Sequence, residues 1–432
     1  MNSKQYAQNL IDFLYDNPTP FHVVKGGREI LKDAGFKELH LCEKWDIKAG
    51  GKYFTTRNES ALIAFIAGVE KPSKAGFRLI GAHTDAPAIR IKSNPEIKVK
   101  DKYLSLNVEM YGGLIYSTWL DRPLAIAGRV AVKSDNPLYP NMKLVNIKKP
   151  IATIPNLAVH INREINSGYE YNPQKDLLPL IGVTDDDNVA SDWFMEMLAA
   201  ECEVKKENIL GCDLYLYDYQ KGTLNGLNEE FIHVGRIDDV AMSYVALTAI
   251  SKSDAQAGTI VAACYDNEEV GSKTKQGAGS ALTQIIIDRV ARALGSNEEE
   301  ILQARYKSFL VSCDMAHAMH PNFPEKHDPT NKPVINGGPV IKYHHGQKYT
   351  TDADSAAVFK AVCDSAGVKY QEFHNRNDAK SGGTIGPIVA SLLDVRALDI
   401  GNPMLAMHSI RELAGVEDTF NLLAAFKEFY KI

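Results

Sequence analysis

The chain has 432 residues, 45% hydrophobic and 24% charged, with a formal net charge of −6. That length exceeds what one hydrophobic core usually serves, so two domains are expected. The acidic balance argues against the basic surface that nucleic-acid binding demands, and no run reaches the roughly 18 consecutive apolar residues of a membrane helix.

In chain order, residues 1–17 read as an amphipathic helix with Tyr6, Leu10, Phe13 and Leu14 on one face. Asp12 and Asp16 within it, and the lack of a long apolar stretch, speak against a signal or transit peptide. A helix near 26–35 precedes strand-like runs at 60–68 and 77–82, the second ending abruptly in His83-Thr84-Asp85-Ala86-Pro87. From about residue 91 the texture changes to short β segments such as 97–99, 104–110 and 124–132, punctuated by Gly112-Gly113 and Ser134-Asp135-Asn136-Pro137. After about residue 236 the α/β rhythm returns: a helix from Asp238-Asp239 to 251, a strand at 259–265, a helix near 278–294 and a strand at 308–313. Strands at 340–343 and 395–400 and a helix at 419–430 close the chain. This predicts one discontinuous α/β domain, 1–92 and 236–432, interrupted by a β-rich insertion at 93–235, with helices on both faces of the sheet.

Six cysteines at positions 42, 202, 212, 264, 313 and 363 contain no Cys-x-x-Cys pair. That is neither a disulfide framework nor a zinc-finger spacing, and it points to the cytoplasm.

Four apolar runs end directly in metal-capable side chains: at His83 and Asp85, at Asp266-Asn267-Glu268-Glu269, at Asp314 with His317, and at His408. A fifth site, Asp238-Asp239, opens a helix. Each has a bland alternative, since short polar turns follow many strands and carboxylates commonly cap helices. Together they contain the donors of a two-metal hydrolase, because ligands in open α/β sheets gather outside the carboxyl ends of strands. Asp238, Glu269 and Asp314 plus one hydroxide would balance two Zn²⁺ ions, with His83 and His408 as neutral imidazoles. A donor set without thiolate suits zinc and also admits manganese or cobalt. Glu268, beside Glu269, is the candidate general base, and Asp85 is placed to accept the second N–H of His83.

These segments resemble the M18 metallopeptidases, the group of aspartyl aminopeptidase and vacuolar aminopeptidase I. The resemblance rests on Gly81-Ala82-His83-Thr84-Asp85, Arg236-Ile237-Asp238-Asp239, Tyr265 to Ser272, Asp314 to Asn322 and Met407 to Glu412, in that order along nearly the whole chain. It implies a mixed-sheet zinc-peptidase catalytic domain with a β-rich inserted dimerisation domain. It also implies His83 and Asp314 on one metal, Glu269 and His408 on the other and Asp238 bridging, with Glu268 as base and Asp85 supporting it. Asp239 stands where relatives can carry Asn.

The resemblance further implies homododecamers built from dimers, acting on peptides with a free N-terminus. His160, in Asn156-Leu157-Ala158-Val159-His160, matches a histidine that reaches a neighbouring subunit's site, there to donate to the substrate carbonyl or oxyanion. His317, Lys342 and Tyr349 match positions near the substrate; Lys342 either attracts an acidic side chain or sits solvated. Acidic and neutral N-terminal residues are both compatible. A dizinc deacylase or carboxypeptidase-like hydrolase, or a non-catalytic assembly protein of the same fold, are the alternatives.

Overall fold

The computed structural model describes residues 1–100, 102–185 and 192–432. They divide into two compact units, one of Met1–Ala86, Gly222–Met407 and Glu412–Ile432, the other of Pro87–Lys221 and His408–Arg411.

The first unit is built on a nine-stranded mixed sheet. Its order is Lys37–Glu38, Lys52–Arg57, Ala61–Ile66, Thr259–Tyr265, Phe77–His83, Phe309–Cys313, Arg396–Gly401, Val340–Tyr343 and Gln371–His374. The four strands from Thr259–Tyr265 to Arg396–Gly401 run parallel. Their near-continuous apolar sequences follow from burial on both faces. Along Thr259–Tyr265, Ile260, Ala262 and Cys264 enter one core while Val261, Ala263 and Tyr265 enter the other. Ala61–Ile66 alternates in the same way, so a single strand feeds two cores through its period of two.

The first core takes the helices Ser3–Asp16, Pro20–Asp33, Ile237–Ser251, Ala353–Ala366 and Val416–Phe429, and the second takes Leu282–Ala293, Glu298–Tyr306 and Ile385–Leu393. Residues 237–250 of Ile237–Ser251 are all buried, which is the signature of a helix enclosed on every side. A smaller five-stranded sheet joins Thr223–Asn225, Phe231–Val234, Glu412–Gly415, Pro403–Leu405 and Ala316–His317.

Two helix starts differ from the sequence expectation for local reasons. The second helix begins at Pro20, its first residue, six positions before the expected start. Gly26 and Gly27 sit inside it because a Cβ on Gly26 would meet Asn17 and Phe13 at 2.8 Å. The helix expected from 278 starts at Leu282, because residues 272–279 are folded back on themselves, with Gly279 N–H donating to the Ser272 carbonyl at 3.0 Å.

The second unit is a six-stranded antiparallel sheet in the order Asn141–Ala152, Leu124–Val132, Ile209–Asp218, Ala88–Val99, Tyr103–Tyr111 and Leu180–Val183. Its core, including Ile126, Leu214, Leu216 and Phe194, is separate from the two above. Residues 408–411 belong to it: Ile410 is buried there, and Arg411 shares Asp218 with Arg122 at 2.9 and 2.6 Å. Among the described residues no helix is long and apolar enough to cross a membrane. All six cysteines are free.

Candidate active site

Three neighbouring parallel strands of the first unit end together. Phe77–His83 lies between Thr259–Tyr265 and Phe309–Cys313, with Tyr265 opposite His83 and Ser312 opposite Gly81. His83 is the last residue of its strand, Glu268 and Glu269 start a short turn of 3₁₀-helix after the second, and Asp314 follows the third. Asp238 and Asp239 stand at the start of Ile237–Ser251 with non-helical backbone angles, joined by a cis peptide. Asp239 does not cap its own helix: its Oδ2 accepts the His83 N–H at 3.0 Å.

His83, Asp238, Asp239 and Asp314 each offer one ligand atom, all within 4.8 Å of one another, and His83, Glu268 and Glu269 form a second such group. Imidazole and carboxylate are zinc donors. The Asp239 Oδ1 atom is buried without a hydrogen-bond partner, which is the condition a bound cation relieves. His83 Nδ1 lies 3.1 Å from the Asp85 carbonyl oxygen and 3.2 Å from Asp85 Oδ1. Those oxygens only accept, so Nδ1 carries a proton. Nε2 then points toward Asp238 Oδ1, 3.7 Å away. The residues fit zinc.

Asp85 is fully buried and does more than orient His83. Its Oδ1 accepts the Glu268 N–H at 3.1 Å and its Oδ2 the Glu269 N–H at 3.2 Å. Asn267, just before them, has φ +63 and holds the loop through its Oδ1, which accepts from Thr274 Oγ1 at 2.8 Å and Gln276 Nε2 at 2.7 Å. Asn tolerates this left-handed conformation better than most residues.

The charges are crowded. Burial pushes Glu268 up to about 7; His83 opposes this, and Asp314, Asp85 and Asp238 add to it. Burial likewise raises Asp314 to about 6, against the attraction of Lys342. Asp239 is raised well above the carboxylate range by burial, with Asp314 and Asp238 contributing. Burial alone would lower His83, but Asp239, Asp85 and Glu268 outweigh it and hold the imidazole well above its usual value. A bound metal cation would take the place of these protons.

The structure thus brings His83, Asp85, Asp238, Glu268, Glu269 and Asp314 into one cluster. Lys342 and Tyr349 are buried beside Asp314, with Lys342 Nζ 3.6 Å from Asp314 Oδ2 and 5.0 Å from the Tyr349 ring. His317 is exposed, its ring edge-on to Phe373 at 6.1 Å. In the second unit, His160 is exposed in a turn closed by Ile161 and Asn162 N–H groups on the Ala158 carbonyl. His408 belongs to that unit as well. It has φ +67, and its Nδ1 lies 2.8 Å from the Gly113 carbonyl oxygen.

Three residues without a sequence-derived role belong to the site's framework. Asp239 is one. Glu412, almost fully buried, accepts the Asp238 N–H at 3.1 Å. Asp399, also buried, ties Ser312 to Thr350 and Thr384. Asp399 interrupts the apolar strand Arg396–Gly401, which is the one signal it gave, while Glu412 closes the Met407 to Glu412 segment without a role read from it.

The family model described as Aminopeptidase I zinc metalloprotease (M18) matches residues 13–430. The chain is 48% identical over 431 residues to the probable M18 family aminopeptidase 2 of Clostridium novyi (strain NT), covering 100% of both chains. It superposes on a crystal structure of prApe1 with TM-score 0.92 and 31% identity, over 99% of this chain and 95% of that one. A structure of the S. cerevesiae mApe1 dodecamer matches with TM-score 0.85 and 30% identity, over 100% and 97% of the two chains. The cluster of histidine and carboxylates is compatible with a metal site, and the chain belongs to the M18 family of zinc metallo-aminopeptidases.

Proposed function

We propose that the protein removes the N-terminal residue, acidic or neutral, from peptides with a free amino terminus, using two zinc ions per subunit. The observation that carries this is the pair of ligand groups sharing His83 at the ends of three adjacent parallel strands. By the family resemblance, His83 and Asp314 would hold one ion and Glu269 and His408 the other, with Asp238 shared between them. For His408 the support is the family resemblance together with its Nδ1–H donated to Gly113, which puts the lone pair on Nε2. Manganese or cobalt can occupy the same donors.

When bound, the metal polarises the scissile carbonyl and makes water a nucleophile at neutral pH. Glu268 takes the proton from the attacking water at a carboxylate oxygen and delivers it to the departing amine. A carboxyl raised to about 7 by burial suits that exchange. Asp85 keeps the His83 tautomer fixed and holds the Glu268 backbone in register with it. His317 and Tyr349 flank the substrate. His160 donates to the carbonyl oxygen or oxyanion in a neighbouring subunit of a homododecamer built from dimers, in which the β-rich insertion makes the dimer contact. A dodecameric relative supports that assembly, and six free cysteines suit a cytoplasmic enzyme.

The test is hydrolysis of matched peptides with free and N-acetylated termini, with and without chelator. The proposal expects cleavage of the free-amine peptide alone, lost on chelation and restored by zinc. Equal cleavage of the blocked peptide favours a deacylase or endo-acting hydrolase, and no chelator-sensitive cleavage favours an assembly protein.

A further inference from the structure

Asn375 follows the strand Gln371–His374, which pairs in parallel with Val340–Tyr343 and sets Phe373 opposite Lys342. Paired residues point to the same face of a sheet, and so do residues two apart along a strand. Phe373 packs with Ala316, Val340 and Tyr349 in one small core. Asn375, two residues on, lies at the carboxyl end of its strand, where ligands of open α/β sheets gather. Its neighbour there is Tyr349: burial raises that hydroxyl, and Lys342 and the Asn375 side chain oppose the rise. Lys342 Nζ is 5.0 Å from the same ring and 3.6 Å from Asp314 Oδ2. Lys342 and Tyr349 therefore link Asn375 to the metal cluster.

Two donors around the Tyr349 ring are unspent. Asn375 Nδ2 is buried without a hydrogen-bond partner among the described residues. A buried donor in that condition costs free energy unless something accepts from it. The Lys342 ammonium has three N–H groups. Two sides of it donate to the Asp314 and Met315 carbonyls at 3.0 and 3.1 Å, and the remaining N–H has only the ion-pair contact with Asp314 Oδ2. A neutral amide N–H and a cationic N–H together fit the two oxygens of a carboxylate, which only accepts. An apolar side chain in the same place would leave both donors unpaired, and a site built to hydrogen-bond its substrate rejects such an analogue.

We propose that Asn375 is a specificity-determining residue, its Nδ2–H donating to the side-chain carboxylate of an acidic N-terminal substrate residue alongside Lys342. This rests on the aminopeptidase reading, with the scissile carbonyl at the metal cluster and the first side chain extending toward Tyr349. Asn375 lies outside every segment that carries the family resemblance; the register of two strands brings it to this place.

The test uses the full-length parent, Asn375→Leu and Asn375→Asp proteins. Leu keeps the size and removes the donor, while Asp keeps the shape and sets a second carboxylate against the substrate. kcat/KM is measured on two peptides differing only in an N-terminal Glu or Leu, and zinc affinity by competition with a chelating dye. For Asn375→Leu, the Glu-to-Leu ratio of kcat/KM is expected to fall about 10- to 100-fold, the range for loss of a hydrogen bond to a charged group. For Asn375→Asp it falls at least as far. Zinc affinity of both stays within about threefold of the parent, whereas a role confined to supporting the cluster would lower it. A Glu-to-Leu ratio within about threefold of the parent in Asn375→Leu overturns the proposal. If Asn375→Leu does not fold by circular dichroism, Asn375→Asp decides on the same ratio. A parent that cleaves the Leu peptide and spares the Glu peptide overturns the proposal alone. A parent that cleaves neither overturns the aminopeptidase reading and the proposal with it.

Discussion

The Asp85 carboxylate and the Glu268 backbone form a fixed pair: the Glu268 N–H donates to Oδ1 at 3.1 Å, while the same oxygen lies 3.2 Å from His83 Nδ1. The Glu269 N–H takes the other oxygen at 3.2 Å. One buried group therefore sets the distance between the His83 imidazole and the Glu268–Glu269 loop. This follows from the pairing of Phe77–His83 with Thr259–Tyr265, which brings residue 85 beside residue 268.

Removing that brace uncouples both sides. Asp85→Ala is expected to lower kcat and zinc affinity by about 10- to 100-fold each, with Asp85→Asn, which keeps one acceptor, in between. Steady-state kinetics and zinc titration on the same preparations check this. Parental values of both in Asp85→Ala would show that the loop holds its geometry without the carboxylate.

Asp239 predicts the opposite outcome for a conservative change. Its structural duty is to accept the His83 N–H at 3.0 Å, and an Asn oxygen does this equally well. Asp239→Asn should therefore retain kcat/KM within about threefold. Asp239→Leu orphans a buried N–H and should cost about 1–3 kcal/mol in stability, read from denaturant unfolding.

How much of this was legible in the sequence varies by element. Thr259–Tyr265 and Val340–Tyr343 lie where the apolar runs predict them, because strands buried on both faces carry an unbroken signal. The ends of the runs likewise exposed His83, Glu268, Glu269 and Asp314. The second helix starts at Pro20, before the expected 26, and runs through Gly26 and Gly27, whose missing side chains leave room for Asn17 and Leu247. The roles of Asp399 and Glu412 could not be read because they are long-range: each bonds to a residue distant in sequence, and only the sheet order brings the partners together. Lys342 was visible as a charge beside an apolar strand, but its direction was not.

Asp418 supplies a pH test away from the metal cluster. Burial raises its carboxyl to about 7, although N–H groups of Gly338 and Asn336 donate to it. The folded state binds this proton more tightly than the unfolded chain. Its contribution is therefore complete below about pH 4 and is lost as pH rises through about 7, on the order of a few kcal/mol. In metal-free protein, the thermal midpoint of the parent should fall relative to Asp418→Asn between pH 5 and pH 8. Parallel curves over that range would contradict the raised value.

Metal removal should register in stability as well as activity. Buried carboxylates crowded around His83 repel one another, and a cation binding only the folded state at about 1,000 times its Kd stabilises it by about 4 kcal/mol. Chelation should lower the thermal midpoint and zinc should restore it. A midpoint indifferent to both would mean that the cluster holds no structural charge deficit.

The proposed catalysis depends on Glu268 as the proton carrier between water and leaving amine, and Glu268→Gln tests it most directly. The substitution keeps the shape and leaves the ligand atoms of His83, Asp238, Glu269 and Asp314 in place. Zinc content and turnover of a free-amine peptide are measured on one preparation. The prediction is parental zinc stoichiometry with turnover reduced by about 10²-fold or more, the range expected for loss of general acid–base catalysis. Parental turnover at full zinc occupancy would contradict it.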